Sequence, residues 1–257
     1  MGRLIDISSK PYALRLRENI RRSGVAKTEA EAQVIIKNNV LESGKALSEL
    51  PSIWFSSTEA ILARMRKVHG WELVEDELAK GKGLLMMTPH IGCFEIIPHF
   101  LSTKFPFTAL YRPPKLAFLD PLMRSGRSRA GVNLAKTDLS GVRVLFKALK
   151  RGEAVGILPD QVPKKGDGEW AEFFGRPAYT MTMWSKLAEK SGAGTILMFT
   201  KRLDKGRGYE LFFKPMPQVV AGESKSRHLN KGLEQIISEN PEQFLWSYNR
   251  HKGSISP

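Results

Sequence analysis

From about residue 71 onward, short apolar runs alternate with amphipathic stretches along the chain. A continuous apolar run such as Leu84–Met87 predicts a strand buried on both faces. Leu139–Lys150 has helical periodicity, and Gly152 follows as a stop. The same pattern predicts strands at Phe107–Tyr111, Ala154–Leu158, Thr195–Thr200, Tyr209–Phe213 and Phe244–Tyr248, and helices at Glu75–Lys80, Glu95–Leu101, Thr180–Ser191 and Arg227–Ser238. Alternating strands and helices predict an α/β fold: a single domain with a mixed, largely parallel sheet flanked by helices.

The N-terminal part has helical periodicity only. We expect residues 1–70 to form an α-helical segment that packs on an α/β core of residues 71–257, within one structural domain. Thr28–Glu31 resembles a capping box, Pro51 is expected to interrupt the helix, and a further helix is expected through Met65. Residues 11–23 place four arginines among apolar residues. This stretch is either a solvated helix face or a contact with a membrane surface.

The charge balance narrows the choice of partner. Lys and Arg number 40 against 26 acidic residues, a formal net charge of +14, in a chain that is 42% hydrophobic. Such a bias is typical of proteins that bind nucleic acid, an anionic membrane surface, or an acidic or phosphorylated partner. No strand interleaves aromatic and basic residues on one face, which argues against nucleic acid. No apolar stretch approaches the ~18 residues that span a bilayer, and residues 1–10 lack the apolar core of a signal peptide.

A histidine and a carboxylate lie where the strand Leu84–Met87 turns toward the next helix. A histidine held by a carboxylate can take a proton from a weak nucleophile such as an alcohol. Residues five positions apart face opposite sides of a strand and lie about 140° apart on a helix. His90 and Glu95 therefore meet only if His90 lies on the turn and Glu95 on the first helical turn. A purely structural hydrogen bond is the alternative. Cys93, the only cysteine, is either a nucleophile or a buried thiol.

Three polar residues, His90, Arg112 and Asp160, each follow a predicted strand closely. Ligands of α/β folds bind beyond the carboxyl ends of the strands, so we expect these three residues to lie together. Asp160 also suits a turn after Pro159, and Arg112 a plain surface position. Motifs for nucleotide phosphate, dinucleotide, serine-hydrolase and zinc-protease sites are absent from the sequence.

The segment Thr88–Glu95 resembles the H-x4-E block of bacterial lipid A biosynthesis acyltransferases, the lauroyl/myristoyl transferases of the HtrB type. Further blocks resemble that family in the same order, and the similarity spans roughly residues 15–252. They are Tyr111-Arg112-Pro113, Ser125–Arg129, Lys136–Gly141 with the helix after it, Leu158–Gln161, Phe173–Thr180 and Pro241–Trp246. Each block alone is ordinary, whereas the ordered set is specific.

The resemblance implies a glycerolipid-acyltransferase-like fold and transfer of a fatty acyl chain from acyl carrier protein to a hydroxyl of a phosphorylated, Kdo-bearing lipid A precursor. His90 would be the general base and Glu95 would orient its imidazole, with no acyl-enzyme, metal or cofactor beyond the acyl carrier protein thioester. Arg112 would bind phosphate or support the oxyanion, and Asp160 would orient an arginine or the active-site helix. The residues expected to bind substrate are Arg112, Arg127, Arg129, Lys136, Asp160 and Arg176; for the basic ones, a solvated basic face is the alternative.

Two features depart from the family pattern. The family usually begins with an apolar membrane anchor, and this chain starts about where that anchor would end, so a peripheral enzyme on the cytoplasmic face of the inner membrane is expected unless a segment has been lost. The family's C-terminal His-Arg-Arg-Phe-Lys is replaced by Tyr248-Asn249-Arg250-His251-Lys252. The rival interpretations are a glycerolipid or amino-lipid O-acyltransferase, whose usual motif is H-x4-D, and a non-catalytic, basic lipid-binding protein.

Overall fold

The strands of this protein form one large sheet and one hairpin in a computed structural model that describes residues 2, 6, 9–114 and 116–253. Seven strands form the sheet: β1 (Met65–His69), β2 (Leu84–Met87), β3 (Phe107–Tyr111), β4 (Asn133–Lys136), β5 (Ala154–Ile157), β8 (Gly194–Arg202) and β9 (Tyr209–Pro215). The hairpin consists of β6 (Gly168–Phe173) and β7 (Arg176–Met181).

Helices cover both faces of the sheet. In chain order they are α1 (Lys10–Ser23), α2 (Glu29–Phe55), α3 (Thr58–Leu62), α4 (Trp71–Ala79), α5 (Ile96–Ser102), α6 (Asp120–Arg127), α7 (Leu139–Lys150), α8 (Met183–Ser191) and α9 (Lys225–Glu239), with short 3₁₀ helices that include Ala117–Leu119 and Pro241–Gln243. The α/β fold with a mostly parallel mixed sheet, flanking helices and a helical N-terminal segment confirms the prediction from the apolar pattern.

The strand order in the sheet is β1-β9-β8-β2-β5-β3-β4. Strands β8, β2, β5, β3 and β4 run parallel to one another, whereas β9 is antiparallel to β8 and β1 is parallel to β9. The carboxyl ends of β2, β5, β3 and β4 therefore meet at one edge, where ligands of such folds bind. Met87 of β2 pairs with Ile157 of β5, which places His90 and Asp160 equally far beyond neighbouring strand ends.

The strand β2 divides the core because its successive side chains point to opposite faces. Leu85 and Met87 pack with residues of α1, α2, α7, α8 and α9, whereas Leu84 and Met86 pack with residues of α4 and α5. All four are fully buried. A strand covered on both faces reads as a continuous apolar run, which is why its sequence predicted it well.

The basic helix α1 packs against the core. Leu16 and Ile20 are fully buried, whereas Arg17, Arg21 and Arg22 bind acidic partners and Arg15 donates to the carbonyl of Ser247. Arg21 lies 2.8 Å from Glu29 and Arg22 lies 2.9 Å from Glu18. The arrangement matches a solvated helix face, one of the two interpretations of residues 11–23, because Leu16 and Ile20 are used in packing and the exposed arginines are paired, although Leu14 is 67% exposed. In the described part of the chain, no helix combines the length and the apolar character that a bilayer-spanning segment needs.

Local predictions failed where tertiary contacts override the local pattern. Pro51 lies inside α2 and does not interrupt it, and Met65 begins strand β1 instead of continuing a helix. Strand β4 and the hairpin β6–β7 were not predicted, and Thr180 lies in β7, whereas helix α8 begins only at Met183. The predicted strand Phe244–Tyr248 is reduced to a single bridge between Phe244 and Ile91.

Candidate active site

The imidazole of His90 is held by the carboxylate of Asp160. Nδ1 of His90 lies 2.7 Å from Oδ1 of Asp160, and the backbone N–H of His90 donates to Oδ2 at 2.9 Å. Asp160 is 3% exposed, so its carboxylate has little access to water. One side chain thus fixes both the main chain and the ring of His90. The parallel pairing of β2 and β5 brings the two residues close enough for this contact.

The bonding pattern assigns the ring hydrogen of His90. An ionised Asp160 accepts only, so Nδ1 carries the hydrogen and Nε2 is left as an acceptor. The side-chain amide of Gln161 lies 3.3 Å from Nε2, in a position to donate to it. Burial by itself raises the pKa of Asp160, but the charge and hydrogen bonds of His90 outweigh burial, so this pKa lies below its usual value. Asp160 is therefore ionised near neutral pH.

The turn that carries His90 is fastened by the C-terminal part of the chain. The N–H of Leu245 donates to the carbonyl of His90 at 3.0 Å, and the N–H of Gly92 donates to the carbonyl of Gln243 at 3.1 Å. Gly92 has φ 60°, and a Cβ at this position would lie 1.8 Å from the carbonyl oxygen of Thr200. Only glycine fits such a contact, which explains the glycine at position 92. The two backbone hydrogen bonds give the segment Pro241–Trp246 a structural role in holding the turn.

A buried arginine ties the same turn to the N-terminal helices. Arg202, at the end of β8, donates to the carbonyl of Gly92 at 3.1 Å and binds Glu42 and Glu49, each at 2.6 Å. Because Arg202 is 6% exposed, both carboxylates of α2 balance a charge that water does not reach. Helix α2 therefore supports the turn of His90 through Arg202.

Glu95 binds Arg127 rather than His90. Its carboxylate accepts from Nε of Arg127 at 2.9 Å, from Nη2 of the same guanidinium, and from the indole N–H of Trp54 at 3.3 Å. Burial by itself lowers the pKa of Arg127, but the hydrogen bonds and charge of Glu95 outweigh burial and raise it above its usual value. The expectation that Glu95 orients the imidazole is thus corrected: Asp160 holds that position, because strand pairing brings its carboxylate to Nδ1.

His90 opens into a cleft of about 260 Å³ at the carboxyl edge of the sheet. Its polar lining includes the charged or titratable side chains of His90, Glu95, Arg112 and Arg127, together with Gln161, Thr137 and Tyr111. The rest of the wall is largely apolar and includes Phe94, Pro98, Leu110, Met123, Leu134, Val162, Pro163 and Met181. A few polar groups set in an apolar wall are typical of a site that binds a small molecule or a lipid chain.

The structure brings some of the predicted residues together and leaves others apart. His90, Glu95, Arg112 and Arg127 line the cleft, and Asp160 is bound to His90 behind it. Lys136 is exposed at the end of β4 and pairs with Tyr111 of β3, the residue before Arg112. Arg129 donates to the carbonyl of Ser56 at 3.1 Å, so it has a structural contact. Arg176 binds Asn19 at 3.2 Å and lines a separate, small pocket.

Cys93 is unsuited to nucleophilic catalysis. The thiol is buried, and burial raises its pKa far above the usual range, so it is protonated at neutral pH. Of its two interpretations, the buried thiol matches the structure. Within the described residues, no group of three or more His, Cys, Asp and Glu side chains could hold a metal ion.

Sequence reasoning missed several residues that support the site. Gln161 follows Asp160 directly, and its side-chain amide faces Nε2 of His90. The hydroxyl of Tyr248 accepts from the N–H of Val162 at 3.0 Å and fixes the loop after β5. Arg250 is buried beside Thr180 and Asn230, and burial lowers its pKa to about 10. These contacts join distant parts of the chain, so no local pattern reveals them.

Comparison with known proteins identifies related sequences. The family model described as "Bacterial lipid A biosynthesis acyltransferase" matches residues 1–253. The lipid A biosynthesis lauroyltransferase of Escherichia coli K12 is 28% identical over 256 residues, which cover 98% of this chain and 83% of the relative. The palmitoleoyltransferase of the same organism is also 28% identical, over 98% of this chain and 84% of the relative. A lipid A biosynthesis acyltransferase of Haemophilus influenzae is 24% identical over 96% of this chain and 77% of the relative.

Proposed function

Because the chain belongs to the bacterial lipid A biosynthesis acyltransferase family, we propose that it transfers a fatty acyl chain from acyl carrier protein to a hydroxyl of a Kdo-bearing lipid A precursor. The observation that supports this proposal most is the His90–Asp160 pair at the mouth of an apolar cleft. It combines a base that suits an alcohol with a wall that suits an acyl chain.

His90 acts as the general base through Nε2. The acceptor hydroxyl displaces the Gln161 amide from Nε2 and gives its proton to that nitrogen while its oxygen attacks the thioester carbonyl carbon. The tetrahedral intermediate then collapses, the C–S bond breaks, and the imidazolium returns the proton to the leaving thiolate. An ester and a free thiol result, without an acyl-enzyme and without an added cofactor.

Asp160 positions the base and stabilises its protonated form. Its carboxylate keeps the hydrogen on Nδ1, so that Nε2 points its lone pair at the cleft. Glu95 has a different task in this proposal. It fixes Arg127 in the wall of the cleft, where the guanidinium lies close to the substrate and the carboxylate keeps the buried charge paired.

The cationic groups of the cleft suit a phosphorylated acceptor. Arg112 is exposed and lines the cleft, and we assign it to a substrate phosphate or to the oxyanion of the intermediate. Lys136 follows the neighbouring strand and adds positive charge at the same edge. The net charge of +14 would attract an acidic carrier protein, a phosphorylated lipid and the anionic cytoplasmic leaflet of the inner membrane.

A matrix of donors and acceptors tests this assignment. The purified protein is incubated with acyl carrier protein thioesters or coenzyme A thioesters, and with either a Kdo-bearing lipid A precursor or lysophosphatidic acid, and products are weighed by mass spectrometry. We expect a mass gain of one acyl chain on the lipid A precursor, with the carrier protein thioester as donor. Acylation of lysophosphatidic acid instead would assign the protein to glycerolipid synthesis, and no product from any pair would contradict the proposal.

A further inference from the structure

Four large apolar side chains project into solvent from one short segment that we call the apolar rim: Leu116, Phe118, Leu119 and Leu122, which are 56%, 74%, 37% and 39% exposed. The rim consists of the 3₁₀ helix Ala117–Leu119 with its preceding residue and the first turn of α6. A cluster of large apolar side chains that remain exposed among the described residues is typical of an interaction surface.

The apolar rim is continuous with the wall of the cleft. Met123 and Arg127 of α6 line the cleft, and Tyr111 and Arg112, which also line it, come just before the rim in the chain. Helix α6 therefore has one side in the cleft and another in solvent. Leu122 of the rim and Met123 of the cleft wall are neighbours in α6, so the rim adjoins the cleft.

Positively charged residues flank the apolar rim. Arg112 and Arg124 are exposed on either side of it, and between residues 112 and 136 the sequence has only one acidic residue, Asp120. Two other exposed apolar residues stand near the same edge of the sheet. Phe55, 59% exposed, ends helix α2, which packs on α6, and Leu139, 79% exposed, begins α7 just after β4. Exposed apolar side chains flanked by arginines match an anionic bilayer, whose surface is negative and whose interior is apolar.

We propose that the apolar rim is the surface by which this protein lies on an anionic bilayer, so that the cleft of His90 opens toward the lipid. This inference rests on the proposed function only for the identity of the lipid that enters the cleft. It differs from a contact through α1, because Leu16 and Ile20 of α1 are buried in the core and only Leu14 is strongly exposed there, whereas all four large apolar side chains of the rim are exposed in the described structure. Phe118 and Leu122 insert below the headgroups and Arg124 binds lipid phosphates, while Arg112 faces the substrate in the cleft.

Sedimentation with vesicles tests the rim directly. Vesicles contain phosphatidylethanolamine with or without an equal share of phosphatidylglycerol, and the bound fraction is measured for the wild type and the double variant Phe118→Ser/Leu122→Ser. We expect the wild type to bind the anionic vesicles and the double variant to bind them at least about tenfold more weakly. Both positions are exposed, so thermal unfolding should show little change.

A matched control exists at the other end of the sheet. Val219 and Val220 are 78% and 53% exposed, and they follow β9, whose carboxyl end lies opposite the cleft because β9 runs antiparallel to β8. The variant Val219→Ser/Val220→Ser removes similar exposed apolar surface and should bind vesicles like the wild type. An equal loss in both double variants would overturn the proposal, since it would mean that exposed apolar area anywhere decides binding.

A fluorescent label locates the inserted residue. Cys93 is the only cysteine and its buried thiol is protonated, so a Phe118→Cys variant can be labelled selectively with an environment-sensitive dye. We expect a blue shift when anionic vesicles are added, and none for a label at Val219→Cys. No shift at position 118, together with binding of isolated acyl carrier protein there, would make the rim a protein-docking surface and contradict the inference. Neither readout needs catalysis, so a failure of the proposed acyl transfer would be seen separately.

Discussion

Two buried carboxylates lie beside the same cleft, and they differ in the partner that each one binds. Asp160 holds the ring and backbone of His90, whereas Glu95 holds the guanidinium of Arg127 and the indole of Trp54. Asp160 lies seventy positions from its partner in the chain, whereas Glu95 and His90 are close neighbours that form no hydrogen bond in the described structure. Here the short spacing between His90 and Glu95 does not bring their side chains together. The parallel pairing of β2 and β5 brings the side chains of His90 and Asp160 into contact.

This difference separates two kinds of effect. A carboxylate on the base should act on the rate of proton transfer, while a carboxylate on an arginine should act on the stability and shape of the cleft. Single substitutions at the two sites therefore separate catalysis from stability.

Removal of the base should have the largest effect. We expect His90→Ala to lower kcat for acyl transfer by about 10²- to 10⁴-fold, the usual contribution of a positioned general base. The matched control is His69→Ala on the far edge strand, where the imidazole lies 3.1 Å from Glu210, outside the cleft. Activity in His90→Ala equal to that of His69→Ala, with both variants folded by circular dichroism, would remove His90 from the mechanism.

Removal of the negative charge behind the base should have the next largest effect. We expect Asp160→Asn to lower kcat by about 10- to 10³-fold with little change in KM, because the amide no longer holds the hydrogen on Nδ1 or stabilises the imidazolium. Asp76→Asn on the exposed side of α4 is the control and should leave both constants unchanged. A change confined to KM in Asp160→Asn would make Asp160 a binding residue.

Loss of the Glu95 charge should affect stability first. We expect Glu95→Gln to lower the free energy of unfolding by about 1 to 3 kcal/mol, because Arg127 keeps its charge in a largely buried place without a counterion. Urea unfolding measures this loss, and the double variant Glu95→Gln/Arg127→Gln should recover part of it. A stable Glu95→Gln whose kcat falls as far as that of Asp160→Asn would restore Glu95 to the role of orienting residue.

The thiol beside Glu95 should have the smallest effect. We expect Cys93→Ala to keep kcat within about threefold of the wild type, because a buried, protonated thiol takes no part in the transfer. A rate assay with the same donor and acceptor measures it. A loss as large as that of His90→Ala would revive a covalent mechanism through Cys93.

The sequence predicted the fold better than it predicted the contacts of the site. Buried strands such as β2 and β3 have the predicted bounds or nearly so, because a continuous apolar run has few other interpretations. The hairpin β6–β7 was missed because its exposed strands mix charged and aromatic residues. The strand-end rule brought His90, Arg112 and Asp160 to one edge, as the structure has them, but the choice of Glu95 as partner rested on a motif. Side-chain pairing across the sheet depends on register, which a single sequence does not display.

Double-mutant cycles for kcat/KM test the central claim, that Asp160 rather than Glu95 acts through His90. Asp160→Asn and Glu95→Gln are each combined with His90→Ala, and the four-member cycles are measured in the same assay. We predict that Asp160→Asn adds almost nothing once His90 is alanine, whereas Glu95→Gln costs the same factor with and without the imidazole. Additive losses for His90 and Asp160, with coupled losses for His90 and Glu95, would instead make Glu95 the carboxylate that acts through His90.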